Sequence, residues 1–299
     1  MPRTLVTGAA GFTGRYLTAL LASRDHEVHG LVHHRPDEAV EGLFACHEGD
    51  IADPQAMERV VEAVRPDHVV HLAAIAFVAH HDVSEMYRAN IVGTRQLLDA
   101  LARAGQPPRS VLVASSANVY GNSQAGVLDE TLPPNPANDY GITKVAVEAL
   151  AHLYGDRLKI TVVRPFNYTG RGQSADFLIP KIVGQVRAGA SEIALGNLDV
   201  ARDFSDVRGV VDAYARLLEC EGAAGKTFNV CSGVAIPLGE VLERIRAISG
   251  HSFSVTVNPA FVRPDEVRTL RGTAAKLEAA IGPLAMPAFD DTLRWMLAD

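Results

Sequence analysis

At 299 residues, with 47% hydrophobic and 21% charged side chains, the chain suits one large α/β domain, or a domain with a smaller lobe, and can bury a substantial core. Its formal charge of −7 is spread without a basic block, which argues against nucleic acid or an anionic membrane as the main partner. Cys46, Cys220 and Cys231 are scattered and form no CxxC pair, so no disulfide framework or zinc site is expected and a cytoplasmic setting fits them. The first residues lack the apolar core and cleavage site of a signal peptide, and the most apolar window, residues 69–79, is too short to span a membrane.

In chain order, Leu5 and Val6 read as a strand that runs into Gly8-Ala9-Ala10-Gly11-Phe12-Thr13-Gly14, and a helical pattern (Tyr16, Leu17, Leu20, Leu21) begins at once. Gly8 allows a tight turn, Gly11 lets the backbone approach a pyrophosphate, and Gly14 lets the helix pack closely on the strand. The helix N-terminus then offers free N–H groups and a positive dipole end to an anion. Glu27–Val32 reads as a second strand and Pro54–Val64 as a helix that Asp53 caps. A strand at 68–72, a helix at 85–103, a strand at 110–115, a helix at 142–154 and a strand at 159–163 follow. Such βαβ alternation with continuous apolar strands predicts an α/β, Rossmann-type doubly wound parallel sheet.

Past Arg164-Pro165 the rhythm loosens, although a helix at 207–218 and the strand Thr227–Val230 read as a return to the sheet. The predicted organisation is a dinucleotide-binding domain of residues 1–165 with about 206–231. A smaller C-terminal substrate-binding lobe takes about 166–205 with 232–299, including a clear helix at 238–248. Substrate is expected between the two, outside the carboxyl ends of the strands.

Tyr140 and Lys144 stand at i and i+4, hence on one helix face. A free tyrosine has a pKa of about 10, and a nearby ammonium would lower it toward the working range. The strand ending at Ser115-Ser116 brings a hydroxyl to the same sheet edge. A surface Tyr/Lys pair is the alternative if that strand does not meet them.

These features resemble the extended short-chain dehydrogenase/reductase family, in its sugar-nucleotide-modifying branch. The resemblance rests on Thr7-Gly8-Ala9-Ala10-Gly11-Phe12-Thr13-Gly14, Gly49-Asp50-Ile51, His71-Leu72-Ala73-Ala74, Asn90-Ile91-Val92-Gly93-Thr94, Ser115-Ser116 before Val119-Tyr120-Gly121, Tyr140 with Lys144, and Arg164-Pro165-Phe166-Asn167. It implies Ser116 as the catalytic hydroxyl, Tyr140 as the acid/base, and Lys144 as the group that holds the nicotinamide ribose and tunes Tyr140. It also implies a cofactor path along Gly8, Gly11, Phe12, Thr13, Gly14, Leu72, Ala73, Ala74 and Asn90, with Asp50 and Ile51 flanking the adenine.

Two departures narrow the chemistry. Dehydratases of the family follow the catalytic hydroxyl with an Asp-Glu pair or a close equivalent, whereas Ala117 and Asn118 follow Ser116 here, leaving reduction or epimerisation. The second strand ends without an acid for a ribose 2′-OH, residues 28–35 offering His33-His34-Arg35 instead, so NADP(H) is preferred, with Arg35 and His33 on the 2′-phosphate, and NAD(H) second.

The stretch from Gly196 to Val207, and Val262-Arg263-Pro264-Asp265-Glu266-Val267, resemble the GDP-sugar subgroup of dehydratases and 4-keto-6-deoxymannose reductases. That implies Arg202 and Arg263 on diphosphate oxygens and Glu266 on a ribose hydroxyl, with Ser116 and Asn167 also at the substrate. Arg171 departs from the proline usual in the reductases. His80-His81-Asp82 is read as a loop near substrate, with no metal. The resemblance leads to the expectation of an NADPH-dependent 4-reductase of GDP-4-keto-6-deoxy-D-mannose that gives a GDP-6-deoxyhexose, GDP-D-rhamnose. A cofactor-retaining 4-epimerase and a non-catalytic dinucleotide-binding protein are the alternatives. Apolar residues on more than one face of the helices at 85–103 and 142–154 predict a homodimer.

Overall fold

A computed structural model describes residues 1–78, 82–123, 126–262 and 267–298. The chain runs β1 (Arg3–Thr7), α1 (Phe12–Ser23), β2 (Glu27–Val32), β3 (Ala45–Glu48), α2 (Pro54–Val64), β4 (His68–His71), α3 (Val83–Tyr87), α4 (Gly93–Arg103), β5 (Ser110–Ala114), α5 (Asp139–Leu153) and β6 (Ile160–Pro165). It continues through β7 (Asn167–Thr169), α6 (Leu178–Arg187), β8 (Glu192–Leu195), β9 (Ala201–Asp206), α7 (Val207–Glu219) and β10 (Thr227–Val230). The last elements are β11 (Ala235–Pro237), α8 (Leu238–Ser249), β12 (Ser254–Val257), β13 (Thr269–Leu270), α9 (Ala275–Ile281) and α10 (Phe289–Leu297).

Seven strands form one parallel sheet in the order β10-β6-β5-β4-β1-β2-β3. The sequence winds outward from β1 in both directions, which leaves a switch point between β1 and β4. Both faces are covered. On one side α1 and α7 bury Leu17, Leu21, Val210 and Tyr214 against Val6, Val28 and Val70. On the other, α2, α4 and α5 bury Val60, Leu97, Leu101 and Val147 against Leu5, Val69 and Val111. Burial on both faces is why the strands read as unbroken Val/Leu runs rather than alternating ones.

Asp53 caps α2 by accepting from the Gln55 backbone N–H at 2.9 Å, with Pro54 at the first helical position, where its missing donor costs nothing. The predicted 85–103 helix is two α-segments joined by a π-turn at Arg88–Val92, and α5 begins three residues earlier than expected, so Tyr140 lies in its first turn. β3 went unpredicted because it is a short edge strand whose side chains are nearly all half-buried, giving no apolar run. The smaller lobe is built around β9, which pairs with β7, β11 and β13, and has its own core of Ile179, Ile182, Ile193, Phe204, Val241 and Leu293.

Candidate active site

The carboxyl ends of the central strands carry the site, around the switch point. At the β1–α1 turn, Gly8 has φ +70° and its N–H donates to the Leu31 carbonyl at 2.9 Å. A Cβ on Gly14 would lie 2.3 Å from the Gly8 carbonyl oxygen, so only glycine lets α1 start this close to β1. Gly11 precedes α1 without any side-chain cap, and the first turn contains no acid. The leading N–H groups thus retain their capacity for an anion. Phe12 stacks on Tyr168 with centroids 6.0 Å apart, and Thr13 Oγ1 and the Tyr168 hydroxyl lie 2.7 Å apart, tying the loop to β7. Loop, glycines and bare helix end fit the pyrophosphate of a dinucleotide.

Past β2, His33 and Arg35 are exposed; the His33 and His34 rings lie 4.1 Å apart, and Arg35 Nη2 donates to the Cys46 carbonyl at 3.5 Å. Asp50 accepts from the Ala52 N–H at 2.9 Å and pairs with Arg88. Burial pushes its carboxyl up, but the Arg88 and Ala52 hydrogen bonds outweigh that and hold it below the usual range. Ile51 packs on Gly93, where a Cβ would come within 2.5 Å of it.

Along the path from β4, the Leu72 N–H donates to the Thr7 carbonyl at 3.2 Å and the Ala73 N–H to Thr7 Oγ1 at 3.1 Å, while Ala74 is half-buried. Asn90 is buried: its Oδ1 accepts from the Ile75 N–H at 2.8 Å, and its Nδ2 donates to the Ile75 carbonyl at 3.1 Å and Thr143 Oγ1 at 3.0 Å. Both amide protons are thereby engaged in bracing the chain after β4 against α5.

His71, which sequence reasoning passed over except as a motif letter, is fully enclosed. Its Nδ1 lies 2.8 Å from Thr7 Oγ1 and its Nε2 2.8 Å from Thr94 Oγ1. Because Thr94 Oγ1 donates to the Asn90 carbonyl, Nε2 must donate to Thr94 and Nδ1 must accept from Thr7. Burial, with Lys144 nearby, pushes its pKa down to about 3, so it is a neutral brace between β1, β4 and α4.

Ser116, Tyr140 and Lys144 come together, all buried, beside the end of β5. The Ser116 side chain lies close enough to the Tyr140 hydroxyl to favour its ionised form. Lys144 Nζ donates to the Ala114 carbonyl at 2.8 Å and sits 5.6 Å from the Tyr140 ring centroid. The neighbouring Ser115 is excluded from the trio, since its hydroxyl donates to Glu148 Oε1 at 2.5 Å.

The dominant influence on Tyr140 is burial: reinforced by Tyr168, it pushes the phenol up, and the Ser116 side chain opposes this. Lys144 itself is pushed down to about 8 by burial, with Glu148 pulling the other way. Tyr140 is therefore a neutral proton donor here. Glu148, one turn beyond Lys144, is held by Arg164 through contacts of 2.8 and 2.7 Å, and Arg164 reaches the Tyr120 hydroxyl at 2.9 Å. The i+4 spacing from Lys144 to Glu148 was the available signal for this support.

On the substrate side, Asn167 is exposed on β7. Arg202 is buried in β9, and its Nη1 donates to the Ala201 carbonyl at 2.9 Å and the Arg268 carbonyl at 3.1 Å. Arg171, where a proline was expected, has a packing role: its Nε donates to the Trp295 carbonyl at 2.6 Å and its Nη2 to the Ala298 carbonyl at 2.7 Å. Arg263, Glu266, His80 and His81 lie outside the described residues, whereas Asp82 caps α3 by accepting from the Glu85 N–H at 2.9 Å. No group of three or more metal-ligating side chains occurs among the described residues.

Residues 4–231 match the NAD dependent epimerase/dehydratase family. The chain belongs to that family. It is 34% identical over 281 residues to the GDP-6-deoxy-D-talose 4-dehydrogenase of Aggregatibacter actinomycetemcomitans, covering 94% of this chain and 91% of that one. It is equally 34% identical over 308 residues to the GDP-6-deoxy-D-mannose reductase of Pseudomonas aeruginosa, covering 99% and 96%. The structure of RMD from Pseudomonas aeruginosa complexed with NADPH has a TM-score of 0.84 at 32% identity, covering 99% of this chain and 96% of that one.

Proposed function

We propose that this family member is an NADPH-dependent 4-reductase of GDP-4-keto-6-deoxy-D-mannose, yielding GDP-6-deoxy-D-mannose, also called GDP-D-rhamnose. The observation that carries the reading is a buried hydroxyl, phenol and ammonium gathered at one strand end, with Ala117 and Asn118 where water elimination would need acids. The relatives named for GDP-6-deoxy sugars support the substrate class.

Gly8, Gly11, Phe12, Thr13 and Gly14 would hold the cofactor pyrophosphate, Arg35 and His33 the 2′-phosphate, and Asp50 and Ile51 the adenine. Lys144 would hold the nicotinamide ribose. When bound, the cofactor supplies a hydride to carbon 4 of the sugar. Tyr140, kept protonated by burial, gives its proton to the oxygen that gains charge, and Ser116 hydrogen-bonds that oxygen. Lys144 contributes positive charge nearby. Asn167, Arg202, Arg263 and Glu266 are assigned to the nucleotide-sugar.

The test is to mix the protein with NADPH and freshly made GDP-4-keto-6-deoxy-D-mannose and identify the product by NMR. Consumption of one NADPH per GDP-D-rhamnose formed supports the reading. Failure to consume NADPH with the keto-sugar, together with interconversion of the two carbon-4 alcohols of a GDP-sugar without net redox change, would make the protein an epimerase, and the carbon-4 epimer as reduction product would overturn the stereochemistry.

The same reading includes a homodimer in the cytoplasm. Val92, Ile142 and Leu153 are 42%, 43% and 69% exposed on the π-turn and α5, an apolar set that a two-fold helix bundle would cover. A monomeric mass by light scattering at micromolar protein would contradict the dimer. No helix among the described residues is long and apolar enough to cross a membrane.

A further inference from the structure

Ser116 can help the reaction only if its proton points at Tyr140 and the substrate oxygen, and a hydroxyl rotates freely unless its lone pairs are filled. A serine oxygen has two acceptor sites and one proton. Both acceptor sites are occupied here by one residue: the Asn118 backbone N–H and the Asn118 Nδ2 each donate to Ser116 Oγ at 3.1 Å. The serine proton must therefore point away from Asn118, and the buried Tyr140 hydroxyl, whose ionised form Ser116 favours, lies beside it. That leaves the Tyr140 proton free to face the substrate.

Asn118 is itself held in place. Its Oδ1 faces Asn138 Nδ2 at 3.5 Å, and Asn138 Oδ1 accepts from the Gly141 N–H at 2.8 Å as the cap of α5. A Cβ on Gly141 would fall 2.7 Å from the Asn118 carbonyl oxygen, so the first turn of α5, which carries Tyr140, rests directly on the Asn118 backbone. The order Ser116–Asn118–Asn138–α5 fixes both ends of the serine–tyrosine pair from one turn.

We propose that Asn118 is a positioning residue for the reaction: it fills the acceptor side of Ser116 and so turns the serine proton to the Tyr140 side, where it meets the Tyr140 hydroxyl before substrate binds and the reacting oxygen afterwards. The proposal rests on the 4-reductase reading above and gives Asn118 a positive role at a position where the dehydratases carry an acid.

The test is Asn118→Asp, which keeps size and shape but replaces a donor by an acceptor that competes for the serine proton. Loss of one well-placed donor to a reacting oxygen costs roughly 100- to 1,000-fold, and misdirecting one should cost about 10- to 100-fold in kcat. KM for the GDP-sugar and Kd for NADPH should change by no more than about twofold. The deficit should shrink as pH falls, because a protonated carboxyl can donate to Ser116 again. In a Ser116→Ala background the same substitution should cost nothing more, since it acts only through Ser116.

A second arm needs no sugar: the tyrosine 13Cζ resonance missing in Tyr140→Phe should shift in Asn118→Asp, but not when Ser116 is already alanine. If that resonance behaves so while the wild type fails to reduce the GDP-sugar, the function reading falls and the positioning role stands. An additive loss in the Ser116→Ala background, or an unmoved Tyr140 resonance, overturns the proposal.

Discussion

Replacing Gly14 by alanine sets two effects of opposite sign against each other at the phosphate turn. Gly14 is the third residue of α1, and alanine in a helix is favoured over glycine by about 0.5–1 kcal/mol. Against this, the new Cβ would stand 2.3 Å from the Gly8 carbonyl oxygen and 2.6 Å from that of Ala9, both backbone atoms with no rotamer to escape into. Overpacking costs typically 1–3 kcal/mol, and contacts this short belong at the upper end. The net loss is about 2 kcal/mol, or a Tm lower by about 4–8 °C at the sensitivity of large domains. The strain must be relieved by moving the turn that would hold the pyrophosphate, so NADPH Kd should rise at least about tenfold, the worth of one charge-assisted hydrogen bond. The control is Gly184→Ala in α6, where a Cβ meets nothing within 4 Å and the propensity gain acts alone, raising stability slightly. Thermal melts and fluorescence titration with NADPH measure both. If Gly14→Ala melts at or above the wild-type temperature and binds NADPH normally, the close approach of α1 to β1 is wrong.

Three further outcomes are expected. Tyr140→Phe should lower kcat by about 100- to 10,000-fold while NADPH binding survives, as read by steady-state kinetics and titration; near-normal turnover would remove Tyr140 from the mechanism. Arg35→Ala should erase a preference for NADPH over NADH of about ten- to a hundredfold and leave NADH kinetics nearly unchanged, whereas equal damage to both cofactors would make Arg35 structural. The pH dependence of kcat/KM follows from Lys144: its folded pKa is lowered to about 8, so it is charged below that pH and loses its charge as pH rises through it. Tyr140 stays protonated across that range because burial pushes it up, so reduction should be level below pH 8 and fall above it; a rate that climbs through pH 8 would contradict this.

What the sequence disclosed followed the strength of local signals. β2, α2 and β10 have the predicted ends because short buried runs carrying Val28, Leu31 and Val32, or Phe228 and Val230, and an Asp-Pro start for α2, leave no competing pattern. α6 is weakly marked in the sequence because it contains Pro180 and Gly184, although a proline in the first turn leaves the hydrogen-bond ladder intact. The π-turn at Arg88–Val92 interrupts a helix without any residue that forbids one. Ser116, Tyr140 and Lys144 were singled out by spacing and resemblance, but their electrostatics were not legible: the charge of Lys144 is close in sequence, while the burial that dominates Tyr140 comes from elements distant in it. Asn118 was noticed only for lacking an acid, since its bond to Ser116 depends on a turn geometry that no motif spells out.

The most direct test of the central claim uses NADPH carrying deuterium at both positions of carbon 4 of its nicotinamide, with the protein and GDP-4-keto-6-deoxy-D-mannose. Reduction at the site described here places one deuterium on carbon 4 of GDP-D-rhamnose, seen as the loss of that proton's NMR signal and a gain of one mass unit. Unchanged substrate, or product without deuterium at carbon 4, would contradict it.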